Sequence, residues 1–279
     1  MLDINKCTLN IGAEKPFKIL HITDSHIALC DERDNERKMA VMKRCGDTEK
    51  KRRNFAEQLE YGEKNCDLIV HTGDLIDYIT EAGVEFARET LKNEKIFFIA
   101  GNHDYSQYIG EAWEDMAYRM SSYRYMGDRG FDVNMLFSSR VFSGVNFVGI
   151  DDSYHQVEDW QTERLKTEAE KGLPIVLAMH VPLFEETLYK RAVEHSGDSA
   201  YLMGCDEKHL LPYSEFRAAE QRPSPSTLRF IEYVYSEPLI KAVLSGHIHF
   251  SFESTLENGI IQYVTGGGYN NTVREITVI

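Results

Sequence analysis

The chain has 279 residues, 42% of them hydrophobic and 27% charged, with 45 acidic side chains against 31 basic ones and a formal net charge of −14. That size and apolar content suit one large domain with an ample core, and no run approaches the roughly 18 consecutive apolar residues of a membrane span. The negative balance repels polyanions at long range, so nucleic acid is not expected as the main partner, while small anionic substrates stay open because bound cations would reverse the field locally.

In chain order, FKILHITD (17–24) reads as a buried strand, TEKKRRNFAEQLEYGEKN (48–65) as a polar-faced helix with a solvent face, and DLIVHTGD (67–74) as a second strand. EAGVEFARETLKN (81–93) reads as a helix, KIFFIAGNHD (95–104) as a third strand, and 110–123 as helical again. Two strand-like runs, 134–142 and 145–152, meet at Ser143 and Gly144, a hairpin signal. A helix over 157–172 ends in glycine and precedes the strand PIVLAMH (174–180). Between Val181 and Pro225 four prolines interrupt short helical pieces, which suggests an insertion or lid at about 182–225 within a single domain spanning 1–279. A helix over 226–236, with Ser226 as its expected cap, leads to the strand LIKAVLSGH (239–247), and three alternating runs (250–257, 259–267, 273–279) close the chain. Strands alternating with helices indicate an α/β architecture.

The polar residues standing where strands stop carry the chemistry. They are Asp24 and His26, then Asp74, then Asn102, His103 and Asp104, then His180, then His247 and His249 of the stretch GHIH. Apolar runs thus deliver carboxylates, an amide and imidazoles at one end, which in open α/β sheets is where ligands bind. A mixed oxygen and nitrogen donor set suits manganese, iron or zinc, and the absence of cysteine excludes a closed structural zinc site. Glycine before Asp74, Asn102 and His247 permits tight turns and close backbone approach. The five cysteines (Cys7, Cys30, Cys45, Cys66, Cys205) form no CxxC pair, and the first twenty residues hold no continuous apolar segment, so free thiols in the cytoplasm are expected.

The ordered set DSH (24–26), GD (73–74), GNHD (101–104), His180 and GHIH (246–249) resembles the calcineurin-like metallophosphoesterases. The resemblance implies a four-layer α-β-β-α sandwich with two mixed sheets and a dinuclear metal centre at the C-terminal ends of the strands. It implies that Asp24, His26 and His249 hold one metal, that Asn102, His180 and His247 hold the other, and that Asp74 bridges them. It further implies hydrolysis of phosphodiesters or phosphomonoesters by in-line attack of a metal-activated water or hydroxide. His103 would then protonate the leaving group or donate to the phosphoryl oxygen, with Asp104 orienting its ring. Asp77 stands where purple acid phosphatases carry a tyrosine, and those enzymes have glycine at the position of His26, so the likeness is to the branch holding class III cyclic-nucleotide phosphodiesterases and the nuclease of double-strand-break repair.

Asp77 and Asp151 read as turn or helix-cap carboxylates, and His21 and His71, offset by odd spacings from the motif residues, read as core. In the 182–225 excursion Tyr189, Lys190, Arg191, His195, Tyr201, His209, Arg217 and Arg222 read individually as surface, although the resemblance implies that the segment as a whole shapes substrate access. Two rival functions remain at this stage. A nuclease would need a basic stripe to neutralise phosphates, and a non-catalytic scaffold on the same fold would be expected to have lost some of these motif residues.

Overall fold

The computed structural model of the chain describes residues 1–109 and 116–279. Its strands are β1 (Asp3–Leu9), β2 (Phe17–Ile22), β3 (Leu68–Thr72), β4 (Ile96–Ile99), β5 (Phe137–Phe142), β6 (Val145–Ile150), β7 (Ile175–Ala178), β8 (Ile240–Ser245), β9 (Phe252–Thr255), β10 (Ile261–Val264) and β11 (Thr272–Val278). Its α-helices are α1 (Glu36–Met42), α2 (Thr48–Asn65), α3 (Glu81–Thr90), α4 (Met116–Gly127), α5 (Asp159–Ala169), α6 (Glu186–Ser196), α7 (Glu207–Leu210), α8 (Glu215–Gln221) and α9 (Pro225–Ser236). The strands form two mixed sheets, ordered β1-β11-β2-β3-β4 and β5-β6-β7-β8-β10-β9. In the first only β11 and β2 run antiparallel; in the second β6, β7, β8 and β10 are parallel and the edge strands β5 and β9 are antiparallel.

The central strands are apolar on both faces because both faces are covered. Ile19, Val70 and Ile99 of the first sheet meet Phe147, Val176 and Leu244 of the second in an inter-sheet core. On the outer faces Leu20, Ile69 and Phe98 pack with Phe55 of α2 and Val84 of α3, and Leu177 and Val243 pack with Leu165 of α5 and Phe230 of α9. The result is the four-layer helix–sheet–sheet–helix stack. All five parallel strands that precede the motif residues end at one edge of this stack, which puts the residues that follow them within reach of one another. The hairpin at Ser143 and Gly144 forms as expected, with positive φ at both residues (49° and 78°), which matches the twist of the flanking strands.

Some boundaries differ. The last α-helix is capped by Ser224, whose hydroxyl accepts from Thr227 N at 3.2 Å, rather than by Ser226; Pro225 takes the first helical position, where no N–H is needed. The helix expected from 157 begins at Asp159, behind a capping box of Glu158 and Gln161. Of the helical stretch expected over 110–123, residues 110–115 lie outside the described residues and the rest is α4. The sequence carried no signal for β1, whose mostly half-buried or exposed residues gain their partner from β11 at the far end of the chain, or for the seven-residue α1. Within 182–225, α6, α7 and α8 share an apolar cluster (Leu188, Leu210, Ala218) that seats on Ile248 and Val264. No helix among the described residues is long and apolar enough to cross a membrane.

Candidate metal centre

Three of the five strand-end turns hold their donors on unusual backbone, while Asn102 keeps ordinary right-handed φ (−67°). Asp24, His26, Asp74, His247 and His249 all adopt left-handed φ, between 47° and 67°. For non-glycine residues this conformation is uncommon and costly, and it persists only where the surroundings over-determine it, which is characteristic of functional sites. The glycines permit the crowding: a Cβ on Gly246 would collide with Thr23 Oγ1 and Asp24 Oδ2, and one on Gly101 with Asp74 Oδ1.

Two donor clusters result. In the first, Asp24 Oδ1 lies 3.2 Å from His249 Nε2, His26 Nε2 lies 3.2 Å from the same atom, and Asp74 Oδ2 is 3.6 Å from His26 Nε2. In the second, His180 Nε2 lies 3.1 Å from Asn102 Oδ1, 3.2 Å from His247 Nδ1 and 3.4 Å from Asp74 Oδ2. One carboxylate oxygen, Asp74 Oδ2, thus belongs to both.

The remaining polar atoms are tied back into the protein. Asp74 Oδ1 accepts from His103 N at 2.8 Å, and Asp24 Oδ2 accepts from Thr23 Oγ1 at 2.8 Å and His247 N at 3.0 Å. His26 Nδ1 faces Asp77 Oδ1 at 3.0 Å, His180 Nδ1 donates to Thr72 O at 2.7 Å, and His249 Nδ1 faces the Tyr269 hydroxyl at 3.4 Å. Such outer partners orient ligating rings and set which nitrogen is free.

What is left over fits cations. Asp24 Oδ1 is buried with no hydrogen-bond partner among the described residues, and paired imidazole nitrogens face each other at 3.2 Å in both clusters, where at most one proton can lie between each pair. Triplets drawn from Asp24, His26, Asp74, His103, His180 and His249 bring their donor atoms within 4.8 Å of one another. Burial opposes ionisation of Asp24 and Asp74, yet the neighbouring histidines, His249 and His180 foremost, hold both carboxyls below the usual range. The same carboxylates overcome burial at His180 and raise it to about 10, a negative field that cations would discharge.

His103 sits at the lip. Burial works against its charged form, but Asp74 and Asp77 raise it to about 9, so the ring is a proton donor at neutral pH. Its Nδ1 donates to the Asp77 carbonyl at 2.8 Å, with the Asp77 carboxylate 3.2 Å away. Asp104 does not orient this ring. Its carboxylate accepts from the backbone N–H groups of Asp74, Gly101 and Ile76 at 2.8–3.0 Å, because the 3-10 turn His103–Tyr105 directs adjacent side chains to opposite sides. Burial, with Asp74 nearby, pushes Asp104 up to about 7. The orienting carboxylate is Asp77, which is no turn cap; its second oxygen pairs with Lys51 at 3.2 Å.

His21 and His71 lie in the core, bonded to threonine and serine hydroxyls at 2.7–2.9 Å. Asp151 does serve a turn, accepting from Ser153 N at 3.1 Å, and it also pairs with buried Arg119 at 3.2 Å. From the excursion, His195 and Tyr201 line a cleft beside His247, together with Ala192 and Phe250, whereas His209 packs against Phe184 and Tyr189, and Arg222 pairs with Glu207. Sequence reasoning passed over Tyr269, Lys51 and His155; the last packs edge-on to His247 with centroids 5.2 Å apart. Only the glycine run ahead of Tyr269 hinted at a backbone held close: Gly268 N donates to Thr23 O at 2.8 Å, and Gln58 of α2 donates to Gly268 O at 2.7 Å.

Two buried donor clusters joined by one carboxylate, at the strand ends of a double-sheet sandwich, have the make-up of a metal centre. The chain belongs to the calcineurin-like phosphoesterases, whose sequence model matches residues 17–251. No curated protein matches the sequence. Among solved structures it is similar to a dimetal phosphatase from Danio rerio (13% identity, 91% of this chain and 88% of that one, TM-score 0.45). It is also similar to a putative 5′-nucleotidase from Staphylococcus aureus (11%, 91% and 49%, 0.45) and a 5′-nucleotidase from Candida albicans (13%, 96% and 48%, 0.41). Overlaps at this level add no weight to the family match.

Proposed function

We propose that the protein hydrolyses small phosphodiesters or phosphomonoesters, with Asp24, His26 and His249 holding one ion, Asn102, His180 and His247 a second, and Asp74 shared between them. The observation that carries this reading is the placement of Asp74 Oδ2 in both clusters, 3.6 Å from His26 Nε2 and 3.4 Å from His180 Nε2. Manganese, iron or zinc suits the donor set. Bound there, the ions supply Lewis-acid chemistry, polarising a phosphoryl oxygen and activating water. His103, whose protonated form the Asp77 carboxylate favours, delivers a proton to the departing oxygen; Asp77 fixes the ring, and Asp104 holds together the turns that carry Asp74 and Asn102. The 182–225 excursion, within one 1–279 domain, forms one wall of the substrate cleft through Ala192, His195 and Tyr201. The intact donor set disfavours a scaffold. The net charge of −14 disfavours a nuclease, for which polyanion binding rests on lysine and arginine.

The test is the leaving group. General acid catalysis is worth typically about 10²–10⁴-fold, and an alkoxide needs the proton that a nitrophenolate does not. His103→Ala should slow alkyl esters far more than nitrophenyl esters while both metals stay bound. Equal losses on both would mean that His103 stabilises phosphoryl charge instead, and metal loss would remove it from this role.

A further inference from the structure

Two clefts open onto the metal centre and share His103 and His249 as a common wall. One lies beside Asn102 and His247, and its far side sets Ala192, Ala200, Ile248 and Phe250 beside His195, Ser196 and Tyr201, with no lysine, arginine or carboxylate there among the described residues. The other lies beside His26 and Asp77, and its far side is the segment leading into α2, with Arg44, Lys50 and Lys51 and one carboxylate, Asp47, which is turned to cap the helix by accepting from Lys50 N at 2.9 Å. The contrast extends to the sequence: between 43 and 53 stand six basic side chains against two acidic ones, in a chain whose net charge is −14. Lys51 is engaged by Asp77 at 3.2 Å. Arg44 and Lys50 are exposed at this mouth and make no ion pair among the described residues, although most surface cations of the chain are paired with a neighbouring carboxylate.

We infer that the cleft beside His26 is a subsite for a second anionic group on the substrate, bound by Arg44 and Lys50 while the scissile phosphoryl group lies at the metal centre. This rests on the phosphoesterase reading and deepens it. Phosphorus placed between the clefts sends one substituent toward the wall of Ala192 and Phe250 and another toward the cations, so the substrate class is an ester whose one arm is apolar or aromatic and whose other arm ends in a phosphate or carboxylate. Unpaired cations beside a partly desolvated site gain more from an anion than they would in open water, and an arginine can hold phosphate or carboxylate through two N–H donors at once.

The experiment uses the full chain loaded with manganese and three p-nitrophenyl phosphodiesters whose second arm is ethyl, 2-carboxyethyl or 2-phosphoethyl. The expected result is a kcat/KM about tenfold or more above the ethyl diester for an anionic arm, a gain that R44A/K50A erases while leaving the ethyl diester within about twofold. A gain from both anionic arms supports a general anion subsite, and a gain from the phosphate arm alone supports a phosphate subsite. Calorimetry supplies a readout apart from turnover: propane-1,3-diol bisphosphate should bind more tightly than propyl phosphate, and the double variant should remove the difference. Equal activity on all three diesters, unmoved by R44A/K50A, overturns the subsite and leaves the phosphoesterase reading standing; no metal-dependent hydrolysis of any of them removes the reading beneath it. A double variant that impairs cleavage of a single-stranded oligonucleotide, with steep salt dependence, and spares the 2-phosphoethyl diester would overturn the small-substrate subsite in favour of a nucleic-acid contact.

Discussion

Replacing Asp77 by asparagine keeps the shape of the side chain and removes its charge, which separates a positioning role from a packing one. Asp77 Oδ1 lies 3.0 Å from His26 Nδ1 and 3.2 Å from His103 Nδ1, and Oδ2 lies 3.2 Å from Lys51 Nζ. Hydrogen bonds to charged groups contribute about 1.5–3 kcal/mol, and 1.4 kcal/mol is tenfold, so the His26 contact alone corresponds to roughly 10–150-fold in metal affinity. That range agrees with the 10–100-fold typical of carboxylates behind ligating histidines. Because Asp77 touches His26 and neither His180 nor His247, the loss should be one-sided. Calorimetric titration of the chelated protein with manganese should show one site weakened by about 10–100-fold and the other within about threefold of its original value. At saturating manganese the variant should still be slower on alkyl esters than on nitrophenyl esters, since His103 has lost the charge that favours its protonated form. Unchanged affinity at both sites, or an equal loss at both, would refute the placement of Asp77 behind one ion.

Asp74→Asn should be the most damaging single carboxylate change, with both ions weakened together and turnover lost; two tightly held metals and near-normal turnover in that variant would exclude a shared ligand. Stability should fall in acid through His71, which burial holds down to about 3. Between that value and the unfolded pKa near 6.5 the unfolded chain binds the extra proton, so stability falls as pH drops from about 6.5, by up to about 1.4 kcal/mol per pH unit. Urea unfolding of the chelated protein at several pH values should show a shallower slope in His71→Asn, and an identical slope would mean that His71 is not kept neutral by the fold.

The motif residues were legible because strand ends deliver them: a buried strand is a readable apolar run, and whatever follows it in a doubly wound sheet lands at the same edge. The partners of those residues were not legible, since they come from elements far apart in sequence. Asp104 follows His103 in the chain and looked like its orienting group, yet the turn sends it to three backbone amides, while Asp77, from the turn after β3, reaches the ring. Helix α2 showed a polar face, but periodicity cannot say which solvent-facing surface borders a site; its N-terminal cations lie at the mouth, and Gln58 and Asn54 hold the loop of Tyr269. β1 escaped notice for the same reason, because its parallel partner β11 lies at the other end of the chain.

If two ions share Asp74, phosphoester hydrolysis depends on both of them. The direct measurement is metal content by elemental analysis alongside hydrolysis of a nitrophenyl phosphodiester and of p-nitrophenyl phosphate, taken before chelation, after it, and after graded return of manganese. The expected result is about two ions per chain, loss of activity on at least one of the two esters with chelation, and recovery that tracks the second equivalent. Full activity in metal-free protein, or no hydrolysis of either ester with two ions bound, would contradict it.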